Sequence, residues 1–161
     1  MAELFLSGAQ LVISIVAAGL TAYLAVWLFD RTTPGVDEWN ELRRGNVAVG
    51  IVLAAVILAI GLIMRPGFAP VGLNLDLGPT NAVVTRLFVQ LIQIIVGLLL
   101  AVVSITVSVW VFTRLTGSIN EWAEINRGNT AIAVMLAAVI VATALITSTA
   151  LDAILRLIAG A

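Results

Sequence analysis

Two stretches of this 161-residue chain are close to being the same sequence. FDRTTPGVDEWNELRRGNVAVGIVLAAVILAIGLI runs from Phe29 to Ile63, and FTRLTGSINEWAEINRGNTAIAVMLAAVIVATALI runs from Phe112 to Ile146. Aligned without a gap at an offset of 83 residues, they are identical at 18 of 35 positions. Agreement of this length at one fixed offset indicates an internal duplication. Each copy joins a polar loop to an apolar segment, so the repeated unit is predicted to be a helical hairpin.

Four stretches contain no charged residue and are long enough to cross a bilayer: Ala9–Phe29, Gly45–Met64, Leu87–Thr113 and Gly128–Leu151. A helix rises about 1.5 Å per residue and needs about 20 residues to cross about 30 Å of hydrocarbon. Unbroken apolar runs favour helices over the alternating strands of a membrane barrel. The sequence therefore predicts an all-α integral membrane protein with four transmembrane helices.

The repeat also predicts how these helices are organised. Residues 1–64 form a first transmembrane hairpin repeat, 65–86 a connector loop, and 87–161 a second hairpin repeat. Because each copy crosses the membrane twice, both copies have the same orientation, as in parallel repeats about the membrane normal. Equivalent side chains of the two copies are then expected near a shared axis.

The composition restricts the classes of function. Hydrophobic residues make up 61% of the chain and charged residues 11%, against roughly 45–50% and about 25% in soluble domains. Cysteine and histidine are absent and all eight basic residues are arginine, which removes the usual ligands of zinc and haem, and thiol, imidazole and Schiff-base chemistry. A net charge of −1 offers no basic surface for nucleic acid. We therefore expect no enzyme, no cofactor and no nucleic-acid partner.

Arginine counts predict the sidedness. The loops that follow the first and third spans carry five arginines, and the opposite side carries three. The positive-inside rule places those two loops in the cytoplasm and both termini outside.

A polar motif occurs once in each of these loops. In the first copy it comprises Glu38, Trp39, Glu41, Arg44, Gly45 and Asn46, and in the second copy Glu121, Trp122, Glu124, Arg127, Gly128 and Asn129. Thr33 and Pro34 are a plausible helix start, and charged residues with an intervening tryptophan are typical of a short interfacial helix. Asn46 and Asn129 are the first polar side chains of the second and fourth spans.

This pattern, EWxExxRGNxA after a Pro-Gly turn and repeated once, resembles the YjfL-like family of bacterial inner-membrane proteins, called domain of unknown function 350. The resemblance covers nearly the whole chain. It implies a small four-helix protein of the cytoplasmic (inner) membrane, made of duplicated units, with no agreed biochemical activity. The second copy departs from the first where Pro34-Gly35 becomes Gly117-Ser118 and where Arg43 becomes Asn126.

The motif allows two interpretations. In the first, it is a structural clasp between the hairpins. Glu41 with Arg44 is an i,i+3 pair that contributes about 0.2–0.5 kcal/mol on a helix surface, and an asparagine just inside a span stabilises helix packing. In the second, four carboxylates meet at one cytoplasmic mouth, where they attract cations. These are the acids of both motifs, Glu38, Glu41, Glu121 and Glu124.

Within the spans, the repeat pairs Gln10 with Gln93 toward the outer ends. These amides are candidates for a hydrogen bond across the axis or for ordinary bonding between helices. Charged residues do not occur inside the spans, which argues against a proton carrier.

The sequence favours a structural or accessory membrane component that oligomerises or docks on a partner membrane protein. The alternative is a small cation or polyamine channel or transporter with an acidic loop mouth.

Overall fold

The structure is a computed structural model that describes residues 8, 11–12, 15–24, 26–27, 37–65, 79–117 and 119–159. Within these residues all regular structure is helical, as the sequence predicts, and no strand occurs. The helices in chain order are α1 (Ile15–Leu24), α2 (Glu38–Arg43), α3 (Val47–Met64), α4 (Pro79–Thr116), α5 (Glu121–Asn126) and α6 (Thr130–Ala159).

Three of these helices are long and apolar enough to cross a membrane. They are α3, the Leu91–Thr116 part of α4 and the Thr130–Ile154 part of α6. The first predicted span, Ala9–Phe29, lies partly outside the described residues, and α1 is the continuous apolar helical stretch of it that the structure describes. These three helices support the prediction of a membrane-embedded helical protein.

Two helices extend beyond the predicted edges of their spans. α4 begins at Pro79 rather than at Leu87, so it takes in the last part of the predicted connector. Proline is well placed at a first helical position, where its missing N–H has no intrahelical partner to lose. α6 continues past Leu151 to Ala159. Charged residues mark where side chains leave hydrocarbon, whereas the backbone hydrogen bonding of a helix continues through them.

The central helix is α3. Of its residues, 56% are buried, against 22% in the apolar parts of α4 and α6. It packs most extensively on α6 and then on α4, and it also contacts α2 and α5. The largest fully buried side chains come from these helices: Val52, Val56, Ile63 and Met64 of α3, and Leu136 and Ile140 of α6.

Equivalent residues of the two copies are not buried alike. Ile63 in α3 is fully buried, whereas its equivalent in α6, Ile146, is 70% exposed. The reverse holds for Ile57, which is 40% exposed, and its equivalent Ile140, which is fully buried. The two helices therefore turn different faces toward the core, because α3 lies among several neighbours and α6 lies at one side. Matching side chains do not all converge on one axis.

This difference predicts unequal effects of one substitution at two positions of α6. Ile140→Ala opens a cavity in the core and is expected to lower the free energy of unfolding by about 2–5 kcal/mol. Ile146→Ala removes the same atoms from the exposed face, where lipid or detergent refills the space, and is expected to cost less than about 1 kcal/mol. Chemical unfolding in detergent micelles measures both. Equal losses would contradict the packing described here.

Candidate functional site

The two motif loops fold into the same turn. The first motif turn is residues 37–46 and the second is residues 120–129. α2 begins at Glu38, with the Oδ1 atom of Asp37 accepting a hydrogen bond from the Asn40 N–H at 3.1 Å, and Asn120 caps α5 in the same way. Asp and Asn are favoured caps because a side-chain oxygen satisfies an N–H of the first turn. The predicted start at Thr33 and Pro34 lies outside the described residues, and the cap of α2 is Asp37.

Each turn ends at a glycine in the left-handed region. Gly45 has φ 77° and Gly128 has φ 86°. The N–H of Gly45 donates to the carbonyl of Leu42, and the N–H of Asn46 donates to the carbonyl of Glu41, both at 3.0 Å. The second turn repeats both bonds at 2.9 Å. This pair of bonds is the Schellman ending of a helix, and it explains why the motif has glycine before asparagine.

The second carboxylate of each motif is held inside its own turn. Glu41 pairs with Arg44 at 3.1 Å through Oε1 and accepts a hydrogen bond from Asn46 at 2.9 Å through Oε2. Glu124 makes the same two contacts in the second turn, with Arg127 at 2.9 Å and Asn129 at 3.0 Å. The hydrogen bond from Asn129, together with Arg127, lowers the pKa of Glu124 below its ordinary value of 4.5. Both oxygens of each carboxylate are thus engaged by the motif's own residues.

Asn46 also connects the first turn to the second. Its Oδ1 atom caps α3 by accepting from the N–H groups of Ala48 at 3.1 Å and Val49 at 3.4 Å. Its Nδ2 atom lies 3.2 Å from the carbonyl oxygen of Ile125 and 3.0 Å from that of Asn126. Because Glu41 accepts one of the two amide hydrogens, the two carbonyls share the other. These carbonyls lie at the end of α5, where the carbonyl of Ile125 also accepts from the Gly128 N–H at 2.9 Å. We call the two bonds from Asn46 to α5 the clasp.

Asn129, the equivalent of Asn46 in the second copy, makes a different set of hydrogen bonds. Asn129 caps α6 through the Ile132 N–H at 3.4 Å and donates to Glu124. It makes no hydrogen bond to the first motif turn within the part of the chain that the structure describes. The two turns lie in contact, and the bonds from Asn46 to α5 have no counterpart from Asn129 among the described residues.

The first glutamates of the two motifs point inward. Glu38 is 3% exposed and Glu121 is 6% exposed, and the hydroxyl of Thr116 hydrogen bonds with the Oε1 atom of Glu121. The predicted mouth of four carboxylates is therefore divided into two buried acids and two acids held by arginine and asparagine. Among the described residues, no group of three or more potential metal ligands is present.

The two motif tryptophans differ in exposure, and of the two predicted glutamines only Gln93 lies among the described residues. Trp39 is exposed and Trp122 is half-buried. Gln93 is half-buried, and its Oε1 atom is inaccessible to solvent without a hydrogen-bond partner among the described residues. Gln10 lies outside the described residues, so a bond between the two glutamines stays a prediction.

One polar contact between helices was not anticipated. The hydroxyls of Ser104 in α4 and Thr147 in α6 lie 3.1 Å apart. Thr147 donates its hydrogen to the carbonyl of Thr143 at 2.9 Å, so Ser104 is the donor between the helices. Ser108 donates to the carbonyl of Ser104 at 2.7 Å. The sequence feature that could have indicated this contact is a spacing of four residues between hydroxyl side chains in each helix, Ser104 to Ser108 and Thr143 to Thr147.

The clasp predicts that the two motif asparagines differ in importance. Asn46→Ala removes a helix cap, a bond to Glu41 and the clasp, whereas Asn129→Ala removes a cap and a bond to Glu124. Since a buried hydrogen bond contributes about 0.5–1.5 kcal/mol, Asn46→Ala is expected to destabilise by about 1–3 kcal/mol more than Asn129→Ala. Asn46→Ser keeps a capping oxygen but is too short to make the clasp, and unlike Asn46→Asp it places no carboxylate against Glu41, so it separates the two roles. Equal losses for the two alanine variants in unfolding experiments would show that the clasp carries no stability.

Comparison with known proteins adds the family. The family model described as Domain of Unknown Function (DUF350) matches residues 3–96 and, a second time, residues 85–160. No curated protein and no solved structure matches the chain. The two matches extend over both copies of the motif and most of the chain. The chain belongs to the DUF350 family.

Proposed function

We propose that this chain is a structural or accessory component of the cytoplasmic membrane, without enzymatic activity, that oligomerises or docks on a partner membrane protein. The observation that carries this proposal is the clasp, because the donors and acceptors of the motif are directed at the chain itself. Asn46 contacts Glu41, the start of α3 and the end of α5. A motif whose donors and acceptors are used internally fits a role in assembly.

The charges support this role over ion passage. A cation path needs carboxylates that exchange water or protein ligands for the ion. Glu41 and Glu124 are each fixed by an arginine and an amide, and Glu121 is buried beside Thr116. A passing cation would have to displace these partners, which makes the channel or transporter the weaker alternative.

The proposed architecture has four spans in two tandem hairpins, with α1 as part of the first span. Contact between the motif turns requires the loops before α3 and α6 to lie on one side of the membrane, as an even number of crossings provides. The arginine excess of those loops places that side in the cytoplasm and both termini outside. The exposed apolar faces of α4 and α6 then contact lipid or neighbouring transmembrane helices.

Single cysteines test this topology without background, because the natural sequence contains none. In spheroplasts, a membrane-impermeant maleimide is expected to label Ala2→Cys and Ala161→Cys at once. Asn40→Cys and Ile119→Cys, at exposed positions on or beside the motif turns, are expected to react only after lysis. Labelling of Ala2 and Asn40 from the same side would contradict a first span and leave three crossings.

Flux measurements separate the two functions. Proteoliposomes of the parent chain are expected to release potassium and spermidine no faster than protein-free vesicles, with an added ionophore as the positive control. The matched variant is Glu41→Gln with Glu124→Gln, which removes both charges of the proposed mouth. Parent flux above the vesicle background that falls in this double variant would establish transport and overturn the assembly role.

A further inference from the structure

A half-open groove of about 330 Å³ lies between α1, α2 and α3. Its lining is apolar and aromatic, and consists of Ala22, Tyr23, Val26, Trp27, Trp39 and Ile57. Trp39 belongs to the short helix at the membrane boundary, whereas Ile57 lies about 15 Å along α3 from its first residue. The groove therefore extends from the interface toward the middle of the bilayer.

The equivalent residues of the second copy are packed differently. Ile140, the equivalent of Ile57, is fully buried, and Trp122, the equivalent of Trp39, is half-buried rather than 59% exposed. There α4 packs directly on α6, and the residues equivalent to Ile57 and Trp39 are less exposed than in the first copy.

The two copies also differ in charge on the short helix that carries the motif tryptophan. Arg43 follows Trp39 by four residues on α2, which puts the two side chains on neighbouring positions of one helix face. Arg43 is exposed and forms no ion pair with an acid among the described residues. The nearby acid Glu41 pairs with Arg44 instead. In the second copy the equivalent residue is the neutral Asn126. The groove thus has an arginine one helical turn from its lining residue Trp39, whereas the second copy has a neutral residue at the equivalent position.

We propose that the groove binds one anionic phospholipid, with the phosphate at Arg43 and an acyl chain along Trp39, Trp27 and Ile57. A guanidinium binds phosphate through two parallel N–H donors, and tryptophan is suited to the boundary between headgroups and hydrocarbon. The charge of Arg43, which forms no ion pair among the described residues, decides between occupants, because the apolar residues of a second transmembrane helix would fill the groove but bring no anion to Arg43. This site is independent of the assembly role proposed above.

Native mass spectrometry of the full chain in detergent tests the site by titration with phosphatidylglycerol and, separately, phosphatidylcholine. Arg43→Asn, which installs the residue of the second copy, is expected to weaken the first phosphatidylglycerol bound by about fivefold, the factor that one arginine contributes near an anionic lipid. Binding of phosphatidylcholine should not change. Arg44→Asn removes the same charge from a side chain held by Glu41, and a change below twofold is expected. Inorganic phosphate should not compete, since it lacks the acyl chain.

Ile57→Trp tests the apolar part of the site by filling the groove, and it is expected to displace both lipids. Equal weakening by Arg43→Asn and Arg44→Asn would overturn the proposal in favour of diffuse surface charge. Unchanged lipid binding by a folded Ile57→Trp variant would also overturn it, as would a lipid-free dimer that Ile57→Trp dissociates, since a second copy would then occupy the groove. If Ile57→Trp loses its helical circular dichroism, the two arginine variants decide the outcome.

Discussion

A backbone or amide group that enters hydrocarbon must find a partner within the protein, because no water is present to supply one. Asn46 stands at the point where the chain passes from the interfacial turn into the central helix. Its oxygen satisfies the first N–H groups of α3, and its nitrogen satisfies a carboxylate and the closing carbonyls of α5. This one side chain therefore joins the first motif turn, the central helix and the end of α5, which also packs on α3 through the buried Ile125.

Duplication gave both turns the same internal chemistry but not the same surroundings. The caps, the left-handed glycines and the ion pairs recur at equivalent residues. Beyond the turns, α3 is enclosed by neighbours while α6 exposes the face that α3 buries. A copied unit can therefore keep its local hydrogen bonds, which depend on nearby residues, while its packing is set by its position in the assembly.

The sequence predicts what depends on local pattern. The helical membrane class follows from the uncharged runs, and the pairing of Glu41 with Arg44 follows from their spacing on a short helix. The predicted third and fourth spans end next to charged residues, whereas the helices α4 and α6 that contain them continue further. Nothing in α3 indicates which side is buried, since apolar residues surround it and leave no polar face as a guide. Ser104 and Thr147 show the same difficulty, because each lies on a regular spacing but their pairing depends on how α4 and α6 are rotated.

The clasp can form only late in the synthesis of the chain. The acceptors of Asn46 in α5 lie 79 and 80 residues further along the sequence, and they are synthesised after α3. While the ribosome completes the second unit, Glu41 is within reach of the amide, but the carbonyls of α5 are not yet in place. Until the second unit is made, the amide of Asn46 has Glu41 as an acceptor but lacks the two α5 carbonyls, so the first unit reaches its final hydrogen bonding only when the second is complete.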